Sequence, residues 1–287
     1  MSTETPTAST EDSPASTEAR APEVPPDGAP SASFLVPLGE ALHRTRALIG
    51  YNLLLRLRDP SQLISYLVTP MVFMLMLQPL YREALDTGTV HAVTGQLVMF
   101  SVFAMAIVGN AIFVEREWRT WDRLRASRAA RWELLVGKAV PVFVVLIFQQ
   151  TVLFVYGIAV IGMPLPVSLP LLLAAMAVWG TTLLAMGAAL ATLVRSRGDL
   201  IVACDVGAIL VSTVGGTFLP VDLMPGWAQE MAPFSPGYWG LSMLRAAVEG
   251  DAGGTFEPAL VCLAIAVATG AFATYRLAHG WGRSHLV

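Results

Sequence analysis

EREWRTWDRLRASRAARWELLVGK, residues 115–138, is the one long, densely charged stretch in a chain otherwise made of apolar runs, and it lies between two of them. Seven of its residues are basic (Arg116, Arg119, Arg123, Arg125, Arg128, Arg131 and Lys138) against four acids (Glu115, Glu117, Asp122 and Glu133). Such a stretch cannot lie in hydrocarbon. A loop this basic, flanked on both sides by membrane-length apolar helices, is expected to face the cytoplasm and to offer a handle to a soluble partner.

Composition agrees. Hydrophobic residues make up 55% of the 287, charged residues only 14%, and mean hydropathy is +0.61. A water-soluble surface would not accommodate that balance, so the chain reads as an integral membrane protein. The net charge of −3 decides little, because acids and bases are segregated along the chain. Cys204 and Cys262 both fall in apolar runs without C-x-x-C or Cys/His spacing, and read as small packing residues.

Residues 1–33 are rich in Ser, Thr, Ala, Pro and Glu, with six acids and Arg20 as the one base. Too little apolar surface is present to offset the entropy of ordering, so a disordered cytoplasmic tail is expected. It lacks the basic start and apolar core of a secretory signal. Residues 34–59 are helical in composition but too charged to span a bilayer. Leu38, Leu42, Ile49 and Leu53 fall within about 60° of one another on a helical wheel, with Arg44, Arg46, Arg56 and Arg58 able to reach phosphates or water. An amphipathic helix on the cytoplasmic membrane surface fits; an ordinary helix leading into the membrane is the plainer alternative.

Six segments then have the length or apolar character to cross roughly 30 Å of hydrocarbon: 61–80, 93–114, 138–161, 169–194, 200–219 and 256–275. Residues 60–287 thus form a six-span domain of an all-α membrane protein. On the side of the amino-terminal helix lie fifteen Arg or Lys residues, against Arg82 and Arg245 on the other. That bias puts both termini in the cytoplasm of a multi-pass cell-membrane protein. The extracellular loop 220–255 holds two short helices, opened by Pro225 and Pro236, the second capped by Ser235 and ended by Gly250. Carrying Trp227, Phe234, Tyr238, Trp239, Leu241 and Leu244, they are expected to re-enter the outer leaflet or lie at its interface, although an ordinary folded loop would also serve.

Soluble-enzyme chemistry is not visible. His43, His91, His279 and His285 stand apart, no nucleophile or carboxylate pair has usable spacing, and no phosphate-binding G-x-x-x-x-G-K-[ST] loop occurs. If ATP is used, another chain binds it. Within the spans the conspicuous polar residues are Asp205, Gln149-Gln150-Thr151, Asn110 and Gln96. An ionisable side chain there costs roughly 2.5–3.5 kcal/mol on insertion scales, which makes Asp205 a functional candidate facing a transport path and attracting cationic substrates. Lying only about 8 Å inside the cytoplasmic helix end, it has a structural alternative, pairing with Arg195 or Arg197. Gln149, Gln150 and Asn110 read more often as interhelical hydrogen-bonding groups than as substrate contacts.

Glu115-Arg116-Glu117, Leu124-Arg125-Ala126-Ser127 and Arg131-Trp132-Glu133-Leu134-Leu135-Val136-Gly137-Lys138 resemble the cytoplasmic loop of ABC type-2 transporter permeases, particularly the drug-resistance, daunorubicin-exporter-like branch. The outer text, Phe218-Leu219-Pro220 through Met224-Pro225-Gly226-Trp227 to Ala232-Pro233, Pro236 and Arg245, is similar to that family's last extracellular region. Arg128 departs from the proline many members carry there. The resemblance implies a permease that dimerises, most simply with a second copy of itself, and works with two separate ATPase subunits that hold ATP and Mg. It implies docking on the ATPase through Glu115, Arg116, Glu117, Arg123, Leu124, Arg125 and Arg131. It further implies a substrate path along the second and fifth spans at Phe100, Phe103, Asn110, Asp205 and Ser212, and an outer gate at Trp227, Tyr238 and Trp239. No cofactor, metal or catalytic residue is expected on this chain, and no nucleic-acid partner. Export of hydrophobic or amphipathic drugs or antibiotics is the leading expectation. Export of lipids or lipid-linked glycans, ion-coupled transport with Asp205 as proton carrier, and a non-transporting anchor are the alternatives.

Overall fold

The computed structural model describes residues 38–58, 61–85, 88–117 and 131–278. The expected tail 1–33 and the coupling residues Arg123, Leu124 and Arg125 lie outside the described residues. Of Glu115, Arg116, Glu117 and Arg131 only the helical backbone is described.

Among the described residues all regular structure is helical. A backbone in lipid has no water to bond and must satisfy its polar groups within each segment, which a helix does. In chain order the helices are α1 (Leu38–Arg58), α2 (Ser61–Ala84), α3 (Gly88–Phe103), α4 (Met105–Glu117) and α5 (Arg131–Tyr156), the last prolonged by a π turn, Gly157–Ile161. There follow α6 (Leu169–Leu193), α7 (Arg197–Val214), α8 (Gly226–Met231), α9 (Pro236–Glu249) and α10 (Ala252–Ala278).

Among the described residues five stretches are long and apolar enough to cross a membrane: Ile64–Ala84, Gly88–Phe113, Ala139–Ile161, Leu169–Leu193 and Ala252–Arg276. They coincide with five of the six expected spans. The remaining one, 200–219, is the shorter helix α7, whose 18 residues include Arg197, Asp199 and Asp205 and so dilute its apolar character. Its end at Val214, earlier than expected, has a long-range cause. A Cβ on Gly215 would meet the Val211 carbonyl at 2.6 Å and the Tyr238 amide at 2.7 Å, because the start of α9 crosses there. Ser235 holds that crossing, donating to Val211 O at 2.6 Å while accepting from Gly237 N at 3.2 Å as the N-cap of α9. Gly250, at φ 78°, ends α9 in the left-handed conformation that favours glycine.

Helix α3 is central. Nearly all its residues are buried, His91, Thr94, Gln96 and Ser101 among them, because α2, α5, α7 and α9 pack around it. An apolar surface on every side is what a helix enclosed by other helices requires. Leu97, Leu146, Leu153, Trp179, Leu183, Met243 and Leu244 form the centre of the main core. Helix α1 lies against α5, turning Thr45, Leu48, Ile49, Asn52 and Leu53 inward and Tyr51 and Leu54 outward. Ile49 and Leu53 of the expected stripe thus face inward together with Leu48, while the side chains of Leu38 and Leu42 lie outside the described residues.

Between α3 and α4 the membrane-length run is interrupted once, at Ala104. Ile107 N reaches back three residues to Ala104 O at 2.9 Å, a tighter turn than the α-helix makes. Beyond the interruption, Met105, Ala106, Phe113, Ala191, Leu200 and Cys204 from α4, α6 and α7 form a second, smaller apolar cluster.

Candidate functional site

Helices α4 and α7 run close together at the end from which the charged segment departs. Gly109 permits the approach, since a Cβ there would lie 2.7 Å from both methyls of Leu200. Small residues at such contacts let membrane helices pack backbone to side chain. Just beside this contact is a pocket of about 430 Å³ lined by Tyr66, Ala106, Asn110, Arg197, Leu200, Ile201 and Asp205.

Local chemistry positions its polar groups. Ser196 caps α7 by accepting from Asp199 N at 3.0 Å, and the Asp199 carboxylate accepts from Ser196 N at 3.1 Å. This reciprocal box fixes where α7 starts and so where Arg197 leaves the backbone. Arg197 Nε donates to Asn110 Oδ1 at 2.7 Å, across to α4. Among the described residues Asp205 forms no ion pair with Arg195 or Arg197; the Arg197 head group is instead held by Asn110. One cation and one anion therefore line the same pocket without neutralising each other.

Of the expected path residues, Asn110 and Asp205 meet at this pocket. Phe100 and Phe103 lie elsewhere, stacked at 5.7 Å between ring centroids, with Phe73 of α2 on the other side of Phe100 at 5.5 Å. Ser212 is fully buried near the carboxyl-terminal end of α7. Of the expected gate residues Trp227 is 70% exposed, while Tyr238 and Trp239 make an edge contact at 5.2 Å and Trp239 Nε1 donates to Pro233 O at 2.7 Å. The expected gate residues thus divide into a free indole and an anchored pair.

Several structural side chains gave no clear signal in the sequence. Trp179 Nε1 donates to Ser101 Oγ at 2.8 Å inside the core. Gln78 and Arg82 both donate to Ile161 O at 2.7 Å, closing the π turn at the end of α5 onto α2. The Tyr81 hydroxyl donates to Phe218 O at 2.8 Å. Gln149, by contrast, was expected to bond between helices, and its Nε2 donates to Tyr66 O at 3.2 Å, joining α5 to α2. Tyr66 and Arg197 complete the pocket; Arg197 was expected near Asp205 as its pairing partner, whereas nothing in the sequence singled out Tyr66.

Residues 43–248 match the family model described as ABC-2 type transporter. Two curated relatives, both named Probable multidrug ABC transporter permease YbhR, from Escherichia coli strain K12 and from Escherichia coli O157:H7, are each 28% identical over 136 residues. The aligned part is 47% of this chain and 37% of each relative, so the chain spans little more than a third of their length.

Proposed function

Because the chain belongs to the ABC-2 type transporter family, we propose that it is the membrane-spanning permease subunit of an ATP-binding cassette exporter. Its cargo on this reading is a hydrophobic or amphipathic compound of the drug or antibiotic class, as the relatives' multidrug designation suggests. The pocket between α4 and α7 is the observation that carries the reading. Tyr66, Asn110, Arg197 and Asp205 line it while α7 exposes apolar residues, which suits a molecule with a polar end and an apolar body.

Two copies of the permease pair, and two separate ATPase subunits hold ATP and Mg and hydrolyse the nucleotide; this chain is a transport subunit without hydrolytic chemistry of its own. Helix α7, about 27 Å long by helical rise, crosses as the fifth of six spans. Both termini are cytoplasmic, α1 lies on the cytoplasmic membrane surface, and α8 and α9 dip back from the outer face. Packing of α9 against α3, α6 and α10 supports that dip. Helix α4 runs from Asn110 into the charged segment within about two turns. A push by the ATPase on Glu115, Arg116, Glu117, Arg123, Leu124, Arg125 and Arg131 therefore moves one pocket wall against the other. Phe100, Phe103 and Ser212 lie further along the path, and Trp227, Tyr238 and Trp239 close it outside.

Replacing Arg123 and Arg125 together by Glu tests the docking role. Loss of ATPase co-purification with membrane insertion intact is expected; unchanged co-purification would remove the coupling assignment. Transport assayed with and without the ATPase, and with an uncoupler, tests export itself. ATP-dependent, uncoupler-insensitive movement is expected, whereas collapse on uncoupling would point to Asp205 as an ion carrier.

A further inference from the structure

The pocket between α4 and α7 is unusual for a cavity beside lipid in carrying one full charge of each sign. Asn110 takes the Nε–H of Arg197, which ties the guanidinium to α4 in the pocket that Asp205 also lines. The two charges sit on one helix, eight residues and about 12 Å of rise apart, so the helix backbone holds them at a set separation. On the same helix Ile201, which lines the pocket, and Val202, Val206, Ile209 and Leu210 are exposed and apolar.

A ligand with a single charge is poorly served by such a lining. A cation drawn to Asp205 meets the guanidinium as a like charge, and an anion drawn to Arg197 meets the carboxylate. A head group carrying both signs satisfies both at once, and an apolar body attached to it has the flank of α7 to follow. We infer that this pocket binds a zwitterionic amphiphile, with its ammonium group at Asp205, its anionic group at Arg197 and its apolar body along α7. The inference deepens the export reading and rests on the same pocket being the cargo site. Phosphoethanolamine-type lipids and zwitterionic amphipathic compounds of other origin share this chemistry.

Equilibrium binding to the full chain in dodecyl maltoside micelles, which are uncharged, tests it. Three radiolabelled single-chain probes of equal chain length serve: a dodecyl phosphoethanolamine, dodecyl phosphate and dodecyltrimethylammonium. The zwitterion is expected to bind about tenfold more tightly than either singly charged probe, since each charge-assisted contact adds to the other. Asp205→Asn should remove that advantage and leave the anion preferred; Arg197→Gln should remove it and leave the cation preferred. Equal binding of all three probes to the unaltered protein overturns the inference without recourse to any variant, as does a zwitterion preference that survives both substitutions. Displacement of the probe by two-chain phosphatidylethanolamine identifies a membrane lipid as the source; displacement only by single-chain zwitterions identifies a compound of other origin. ATP-driven export with no zwitterion preference would sink this inference and leave the export reading standing, while zwitterion binding without ATP-driven export would do the reverse.

Discussion

Trp179 is fully enclosed in the main core and has its indole hydrogen committed to Ser101, so its ring has no room to turn. Gly240 of α9 faces it so closely that a Cβ would meet the ring at 2.7 Å. Gly240→Val is therefore expected to destabilise the protein by about 1–3 kcal/mol through overpacking, read as a lower midpoint in denaturant unfolding from micelles. A midpoint equal to that of the unaltered protein would mean that α9 does not rest on Trp179. Trp179→Phe removes the donor and part of the volume, with an expected loss of about 2–4 kcal/mol when the hydrogen bond and the cavity are taken together. At the pocket, Asp205 and Asn110 were visible in the sequence as polar residues in apolar helices. Their surroundings were not. Arg197 stood out as a near neighbour of Asp205 in sequence, yet its hydrogen bond goes to Asn110, 87 positions away, and no local pattern encodes that choice.

At the scale of helices, ends fixed by local chemistry were legible and those fixed by contact were not. Ser235 and Gly250 bound α9 as their side-chain chemistry dictates, because a cap needs only its own neighbours. Ser235→Ala is expected to cost about 1–2 kcal/mol, more than a surface cap would, because the hydroxyl also bonds the Val211 carbonyl; Ser235→Thr should restore most of it. The end of α7 escaped reading because the crossing of α9 at Gly215 decides it, and the central place of α3 escaped because an all-round apolar helix shows no preferred face. Helix α4 makes the most specific demand. Gly109→Val would drive a side chain into Leu200 and wedge α4 away from α7. Export should fall at least about tenfold with ATPase co-purification retained, since the pocket wall and not the docking segment is displaced. A variant that exports normally would show that the α4–α7 contact takes no part in transport.

Across the whole molecule, the asymmetry of charge gave orientation its only sequence signal, and chemical labelling can read it directly. Cys204 and Cys262 are both buried, so background labelling by a membrane-impermeant maleimide should be low. A cysteine placed at Trp227, exposed on the segment before α9, is expected to label in intact cells. One placed at Arg195, exposed before α7, should label only after the membrane is opened. Labelling of both from the same side would remove α7 as a crossing helix. The small apolar cluster shared by α4, the end of α6 and the start of α7 is separate from the main core. Mild warming should then loosen that triad first, letting deuterium into amides at 105–113 and 200–204 while those around Leu97 and Trp179 stay sealed. On that outcome the protein breathes at one end; even exchange across all the helices would remove the distinction.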